Sequence, residues 1–375
     1  MSESSTPTPE PGGSLAAGLD VDDARTAADK EATRKAEQEA LEVERAKAGE
    51  ASALTRLLGT GMGRNLGLVI ALVILCVVGA ATAGERFVST GNVQTILSLA
   101  ATIGVVSIGM TFVITGGGID LSVGAILALS SVWCTTLATQ DLARDGHWVA
   151  MVAVALLVGA ACGLVNGLLI AYGGIVPFIM TLAMLASARG LAEIISNRKT
   201  QIVDVPGFRE FFNREILGLS FSVWLFVLVA IAGWVLLNRT TFGRRTLAVG
   251  GNPEAARLAG INVKRHTVML YVLVGVCCGI AALMLVARTT TGSSTHGTLY
   301  ELDAIAAVVI GGTLLAGGRG TIVGTVIGVL IFTTLTNVFT LNNRSISEQS
   351  LLKGAIIVAA VLLQQRLASR NSTTT

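Results

Sequence analysis

The residues best equipped for chemistry in this chain are polar groups set singly into long apolar runs. Asp120 follows three glycines, Gly116 to Gly118, whose bare backbone lets a neighbour or a ligand approach closely. Asn166 stands in mid-run, Arg189 and Glu193 lie four apart on one helix face and can pair, and Asn337 comes near the end of its run. A carboxylate, amide or guanidinium in hydrocarbon is expensive, so each is expected to turn inward. There it either meets a polar solute or serves structure: Asn166 as helix–helix glue, Arg189–Glu193 as a self-satisfied pair, Asp120 as a loop or cap residue.

A second kind of site is mechanical. Asn252-Pro253-Glu254-Ala255-Ala256-Arg257-Leu258-Ala259-Gly260 has the marks of a short capped helix between two apolar runs. Asn252 suits the N-cap, Pro253 the first helical position, and Glu254 the positive end of the helix dipole. Gly260 supplies a left-handed stop. Such a helix is too short to be stable alone, so it needs something to dock against. Its loop, 238–266, carries Arg239, Arg244, Arg245, Arg257, Lys264 and Arg265, and the positive-inside rule puts it in the cytoplasm. A cytoplasmic knob on a membrane protein is a handle for another protein to pull.

Other chemistries find little support. Cys76, Cys134, Cys162, Cys277 and Cys278 fall inside apolar runs without metal-ligand spacing and read as small buried hydrophobes. His147, His266 and His296 are scattered and outline neither a triad nor a metal site. There is no phosphate-cradling G-x-x-x-x-G-K-[ST] and no dinucleotide fingerprint, so the chain carries no ATP-hydrolysing machinery of its own and calls for no cofactor. Basic charge without stacking aromatics in a solvent-exposed domain gives no nucleic-acid signal.

The elements that must position these residues are membrane spans. Of the 375 residues, 52% are hydrophobic and 14% charged, and mean hydropathy is +0.70. Residues 65–84, 87–119, 121–140, 146–188, 216–238 and 266–287 contain no Asp, Glu, Lys or Arg. Each run is long enough to cross ~30 Å of hydrocarbon at ~1.5 Å per residue. The reading is an all-α polytopic membrane protein, without β-sheet, of about ten spans. They are 66–84, 93–115, 119–139, 148–171, 175–196, 219–237, 267–288, 302–317, 320–341 and 351–365. The short runs 302–317 and 351–365 are candidates for tilted, broken or re-entrant segments. Ten crossings place both termini in the cytoplasm. The basic residues of the external loop 197–218 run against that assignment.

Residues 1–62 are different material, with 12 of the 24 acidic residues and a Ser/Thr/Pro/Gly start that cannot form a core. They read as a cytoplasmic tail, disordered to helical, ahead of a transmembrane domain over 63–370 and a disordered end at 371–375. An internal echo points to two duplicated halves: Gly117-Gly118-x4-Val123-Gly124 recurs as Gly317-Gly318-x4-Val323-Gly324. Transporters often place broken helices at such corresponding positions.

In combination these segments resemble a known family. Glu254-Ala255-Ala256-x3-Gly260 matches the core of the EAA loop of bacterial ABC-importer permeases. Gly117-Gly118-Ile119-Asp120-Leu121-Ser122-Val123-Gly124, the run from Gly163 to Tyr172, Val176-Pro177-Phe178, Arg189-Gly190-Leu191-Ala192, Ile310-Gly311-Gly312-Thr313 and Gly317-Gly318-Arg319-Gly320-Thr321 are similar to the ribose/xylose/arabinose-type permeases of monosaccharide importers. The resemblance covers about 60–368. The longer Ile-x-Leu-Pro ending of other importers is absent, Gly260 leading into Ile261-Asn262-Val263-Lys264, as the sugar branch usually has it.

The resemblance implies a permease of the bacterial inner membrane that is not itself an enzyme. It pairs with a second permease copy, takes a monosaccharide from an extracytoplasmic binding protein, and docks on a cytoplasmic ATP-binding subunit. Glu254, Ala255, Ala256 and Gly260, flanked by Arg244 and Arg245, would be the docking contact. Asp120, Asn166, Arg189, Glu193 and Asn337 would border the path, with Gly117, Gly118, Gly317 and Gly318 as structural breaks. A branched-chain amino-acid permease and an ion-coupled secondary transporter are the alternatives.

Overall fold

The computed structural model describes residues 61–145 and 147–356, with Val358 and Leu362. The expected tail, 1–62, lies almost wholly outside the described residues, and the C-terminal end, 371–375, entirely so. The chain divides into two units, Met1–Gly63 and Arg64–Thr375.

The second unit is built of helices. In chain order they are α1 (Gly61–Ala83), α2 (Glu85–Val88), α3 (Thr90–Thr115), α4 (Val123–Cys134), α5 (Leu137–Asp145), α6 (Val149–Ala171) and α7 (Pro177–Ser196). Then come α8 (Pro206–Asn213), α9 (Phe221–Arg239), α10 (Thr241–Gly251), α11 (Pro253–Leu258), α12 (Val263–Thr289), α13 (Tyr300–Ile310) and α14 (Ile322–Leu341). Residues 346–356 are helical again. The uncharged blocks become the long helices, and their ends carry the expected punctuation. Tyr172-Gly173-Gly174 breaks α6 from α7, whose first position is Pro177.

Seven described helices are long and apolar enough to cross a membrane, or eight if the pair Val123–Cys134 and Leu137–Arg144, bent by 55°, counts as one. The count of ten is not reached, for two reasons. The expected span 302–317 is an eleven-residue helix, α13, followed by glycine turns, and of 351–365 only 351–356, Val358 and Leu362 are described. Sheet is present where none was expected, as two antiparallel ladders of two residues each. β1 (Gln201–Ile202) pairs with β4 (Thr291–Gly292), and β2 (Glu215–Ile216) pairs with β3 (Leu219–Ser220). These pairings satisfy backbone groups in the loops between spans, which helix periodicity does not report on.

The centre is formed by α3, α4 and α12. From Ala100 to Thr115 every residue of α3 is buried, polar Thr102, Ser107, Thr111 and Thr115 included. α6 packs along α12 through small residues one turn apart. A methyl on Gly167 would meet Val268 Cα at 2.7 Å, and one on Gly279 would meet Ala155 O at 2.6 Å. Backbone-to-backbone approach of this kind replaces the hydrophobic drive that lipid does not supply. The outer face is the reverse of a soluble protein's: Val73, Val77, Leu157, Ile194 and Leu228 are all more than half exposed. Such a surface needs hydrocarbon or another protein around it.

Candidate functional site

The handle forms as its sequence requires. The Asn252 side chain accepts hydrogen bonds from the N–H groups of Glu254 and Ala255, both at 3.0 Å. At the other end Gly260 has φ +81°, and Ile261 N donates to Ala256 O while Gly260 N donates to Arg257 O, both at 3.0 Å. Those two bonds are the Schellman pattern that closes a helix on a left-handed glycine. Arg257 Nε and Nη2 reach the Glu254 carboxylate at 3.1 and 2.6 Å, and this bond holds the exposed carboxyl below its ordinary range. Ala256 is buried, whereas Leu258 is 77% exposed, an apolar side chain presented at the tip. Arg244 and Arg245 lie exposed on α10, the helix leading into this knob. α10 is itself held to the bundle: Thr246 Oγ1 and His266 Nε2 are 2.9 Å apart.

Behind the knob three backbones meet without side chains. Gly250 and Gly251, just before the Asn252 cap, sit against both glycine turns singled out by the internal echo. A methyl on Gly317 would fall 2.7 Å from Gly250 O and 2.9 Å from Gly117 Cα, and one on Gly318 would fall 2.8 Å from Gly251 Cα. Gly318 N donates to Thr115 O at 2.9 Å, joining the last residue of α3 to the turn before α14. Gly117 and Gly317 have nearly equal φ, 84° and 85°. The two turns expected to mark corresponding breaks thus touch each other, and the segment carrying the handle touches both.

The chain between α12 and α14 is discontinuous. Residues 290–299 form the short strand β4 and turns, not helix, and run beside α4, with Gly292 against Thr135 and Gly297 against Gly124. Only then does α13 begin, and Gly311 at its far end packs on Gly324 of α14. Irregular backbone packed against a helical bundle needs partners for its polar groups. Here Arg189 Nη1 donates to the carbonyls of Ser294 and His296, Ser131 Oγ to Ser293 O at 3.3 Å, and Val203 N to Thr290 O at 3.0 Å.

This changes the reading of Arg189 and Glu193. They do not pair with each other. Asn197 and Arg198 both have left-handed backbone, which turns the chain back after α7 and brings Arg198 Nε to Glu193 at 2.9 Å. Arg189 is thereby left to hold the irregular segment.

Asp120 and Asn166 come together through a residue not singled out from sequence. Asp120 Oδ1 accepts from Ser122 N at 2.8 Å and from Ser122 Oγ, and Asn166 Nδ2 donates to Ser122 Oγ at 3.0 Å. All three residues are fully buried. Asp120 Oδ2 and Asn166 Oδ1 have no hydrogen-bond partner among the described residues. Tyr271 Oη donates to Ile119 O at 3.0 Å, fixing the same turn to α12. Asn337 lies apart, in a reciprocal amide pair with Asn92 at 2.7 and 3.1 Å.

Sequence reading missed Asp303 and Lys353. Lys353 Nζ lies 3.1 Å from both carboxylate oxygens of Asp303, with the side chains only 20% and 13% exposed. The pair ties the last helical segment to α13. The available signal was a basic residue set in the apolar stretch after Ser350 and an acidic one fifty positions before it.

Residues 92–361 match a family model described as branched-chain amino acid transport system / permease component. The chain belongs to this family of transport-system permeases. Among curated relatives it is 42% identical over 307 residues to the ribose import permease protein of Bacillus subtilis, covering 81% of this chain and 92% of that one. It is 37% identical to the L-arabinose ABC transporter permease protein of Azospirillum brasilense, over 80% of this chain and 87% of the relative. With the D-allose transport system permease protein of Escherichia coli (strain K12) identity is 34%, over 80% of this chain and 92% of the relative. No solved structure matches the chain.

Proposed function

We propose that this chain is the membrane-spanning subunit of an ATP-driven importer. In this reading it lets a monosaccharide cross when a cytoplasmic ATP-binding subunit moves α11. The observation that carries the proposal is the seat of the handle: Gly250 and Gly251 join the exposed, doubly capped α11 to the turns at Gly117 and Gly317 with no side chain between. A ligand or partner biases a conformational equilibrium only by its differential affinity for the two states. The ATPase therefore has to grip a rigid element, and Leu258, Glu254 and the Arg244–Arg245 flank offer one. Displacement of that element reaches α4 and α14, whose starts the two glycine turns set.

Sugar is favoured over branched-chain amino acid because the three curated relatives carry ribose, arabinose and allose in their names, and because the Gly-Ile-Asp-Leu-Ser-Val-Gly run is of the sugar type. A binding protein on the outer side delivers the sugar, a second copy of this chain completes the path, and both termini are cytoplasmic. Asp120, Ser122 and Asn166 are the polar groups of the path, and Arg189 holds its irregular wall.

The decisive measurement is uptake of labelled ribose, arabinose, allose and leucine by cells expressing the transporter. Cellular ATP is depleted in one arm while the proton gradient is kept. Sugar uptake that stops with ATP supports the reading. Uptake that follows the gradient, or leucine in preference to every sugar, overturns it.

A further inference from the structure

The first three turns of α3 carry Gln94, Thr95 and Ser98 at one-turn spacing, a polar stripe on a helix whose later turns are buried in the core. Facing lipid, that stripe would be costly. It faces an open groove of about 360 Å³, bordered by Glu215 and Ser220 of the β2–β3 hairpin and by Arg288 in the last turn of α12, with Thr95, Glu215 and Arg288 exposed. Gln94 Nε2 donates to Gly218 O at 2.8 Å, and the Ser98 and Ser220 hydroxyls are 3.3 Å apart. These contacts pin the hairpin over the stripe. The groove thus brings together an amide, three hydroxyls, a carboxylate and a guanidinium, and neither Glu215 nor Arg288 forms an ion pair among the described residues.

We propose that this groove, at the α3 start and α12 end, is a receiving site for a monosaccharide, distinct from the Asp120–Ser122–Asn166 cluster. A sugar ring carries hydroxyls all round, each both donor and acceptor, and such a ligand is matched by mixed donors and acceptors rather than by a single charge. The volume falls at the small end of ligand sites, which run from about 300 to 1,000 Å³. No aromatic ring lines the groove, so the sugar is held by hydrogen bonds alone and binds weakly. Weak holding suits a transit site, where binding must favour arrival yet permit departure. The groove lies beside the hairpin expected to face the outside, where a binding protein would release its cargo. The assignment rests on the sugar-importer reading.

The test uses the full-length chain in lipid nanodiscs and scintillation-proximity binding of tritiated ribose, arabinose and allose. The wild type is expected to bind at least one of them saturably. Arg288→Gln and Gln94→Leu should each weaken that binding by about tenfold, as loss of one or two hydrogen bonds to a ligand does. Ser98→Ala removes only a hydroxyl and keeps the test valid if a larger change fails to insert; it should weaken binding severalfold. Wild-type affinity in all three variants, or no saturable binding by the wild type, overturns the site. Cellular uptake separates the two failures. Sugar uptake with a silent groove leaves the importer reading standing, whereas no sugar uptake removes the reading itself.

Discussion

Single residues in this protein matter according to what they leave behind when removed. Asn166→Leu deletes one intramembrane hydrogen-bonding group, a loss averaging about 0.6 kcal/mol in a membrane protein. Insertion and folding should survive, while sugar flux at matched expression should fall sharply. Unchanged flux would return Asn166 to packing. The Asp303–Lys353 pair behaves oppositely. Asp303→Asn strands a mostly buried ammonium, and breaking such a pair costs about 3–5 kcal/mol, here at the low end because Lys353 keeps some solvent access. The double variant Asp303→Asn, Lys353→Met should recover most of the loss, since replacing a buried pair by neutral groups is often harmless. Thermal unfolding in detergent reads both. The residues legible in the sequence were those that break an apolar run alone, Asp120 and Asn166. Ser122 was not legible as a partner, because a serine near a glycine turn has many local uses and only the fold brings it under Asn166. Arg189 and Glu193 were legible as expensive, but helical spacing named the wrong partner. A left-handed pair at Asn197 and Arg198 decides that, and neither residue announces such a conformation.

At the scale of elements, caps and breaks were the readable part. α11 was outlined by Asn252, Pro253 and Gly260, and the breaks near 117 and 317 by paired glycines, because these residue types have few other reasons to occur at those places. The route of 290–299 was hidden, since its backbone is satisfied by side chains from α4 and α7 that sequence does not connect to it. Two glycine substitutions separate the roles of these elements. Gly260 has open space around it, so Gly260→Val meets only backbone strain, worth about 1–2 kcal/mol in the left-handed region. It should loosen α11 and uncouple ATP hydrolysis from uptake while the protein still inserts. Gly250→Ala instead presses a methyl onto Thr115 O and to within 2.7 Å of Gly318 N. That change should lower the unfolding temperature as well as transport, which a purely local role for Gly250 would not produce. Glu254→Lys inverts the charge favoured at the start of α11 and is expected to act like Gly260→Val. Normal coupling in both would remove this loop from the drive mechanism.

For the whole molecule, composition made the membrane class plain, and the family match agrees. The number of crossings was less legible, because α13 with its irregular approach occupies the place of a span without being one. Sidedness is open to a direct measurement. Leu217, 87% exposed on the β2–β3 hairpin, and Leu258 at the tip of α11 make good cysteine positions. A membrane-impermeant maleimide added outside intact cells should label Leu217→Cys and spare Leu258→Cys until the cells are opened. Labelling of both from outside would reverse the coupling scheme.

The seat of the handle has one more consequence. A contact made of backbone alone has no rotamers to yield and no charge to titrate. In the proposed scheme, displacement entering at α11 would therefore be handed on with little compliance, as through a rigid pivot. Stoichiometry of ATP used per solute moved should then hold steady across the pH and ionic strengths at which the transporter works, even where its overall speed does not.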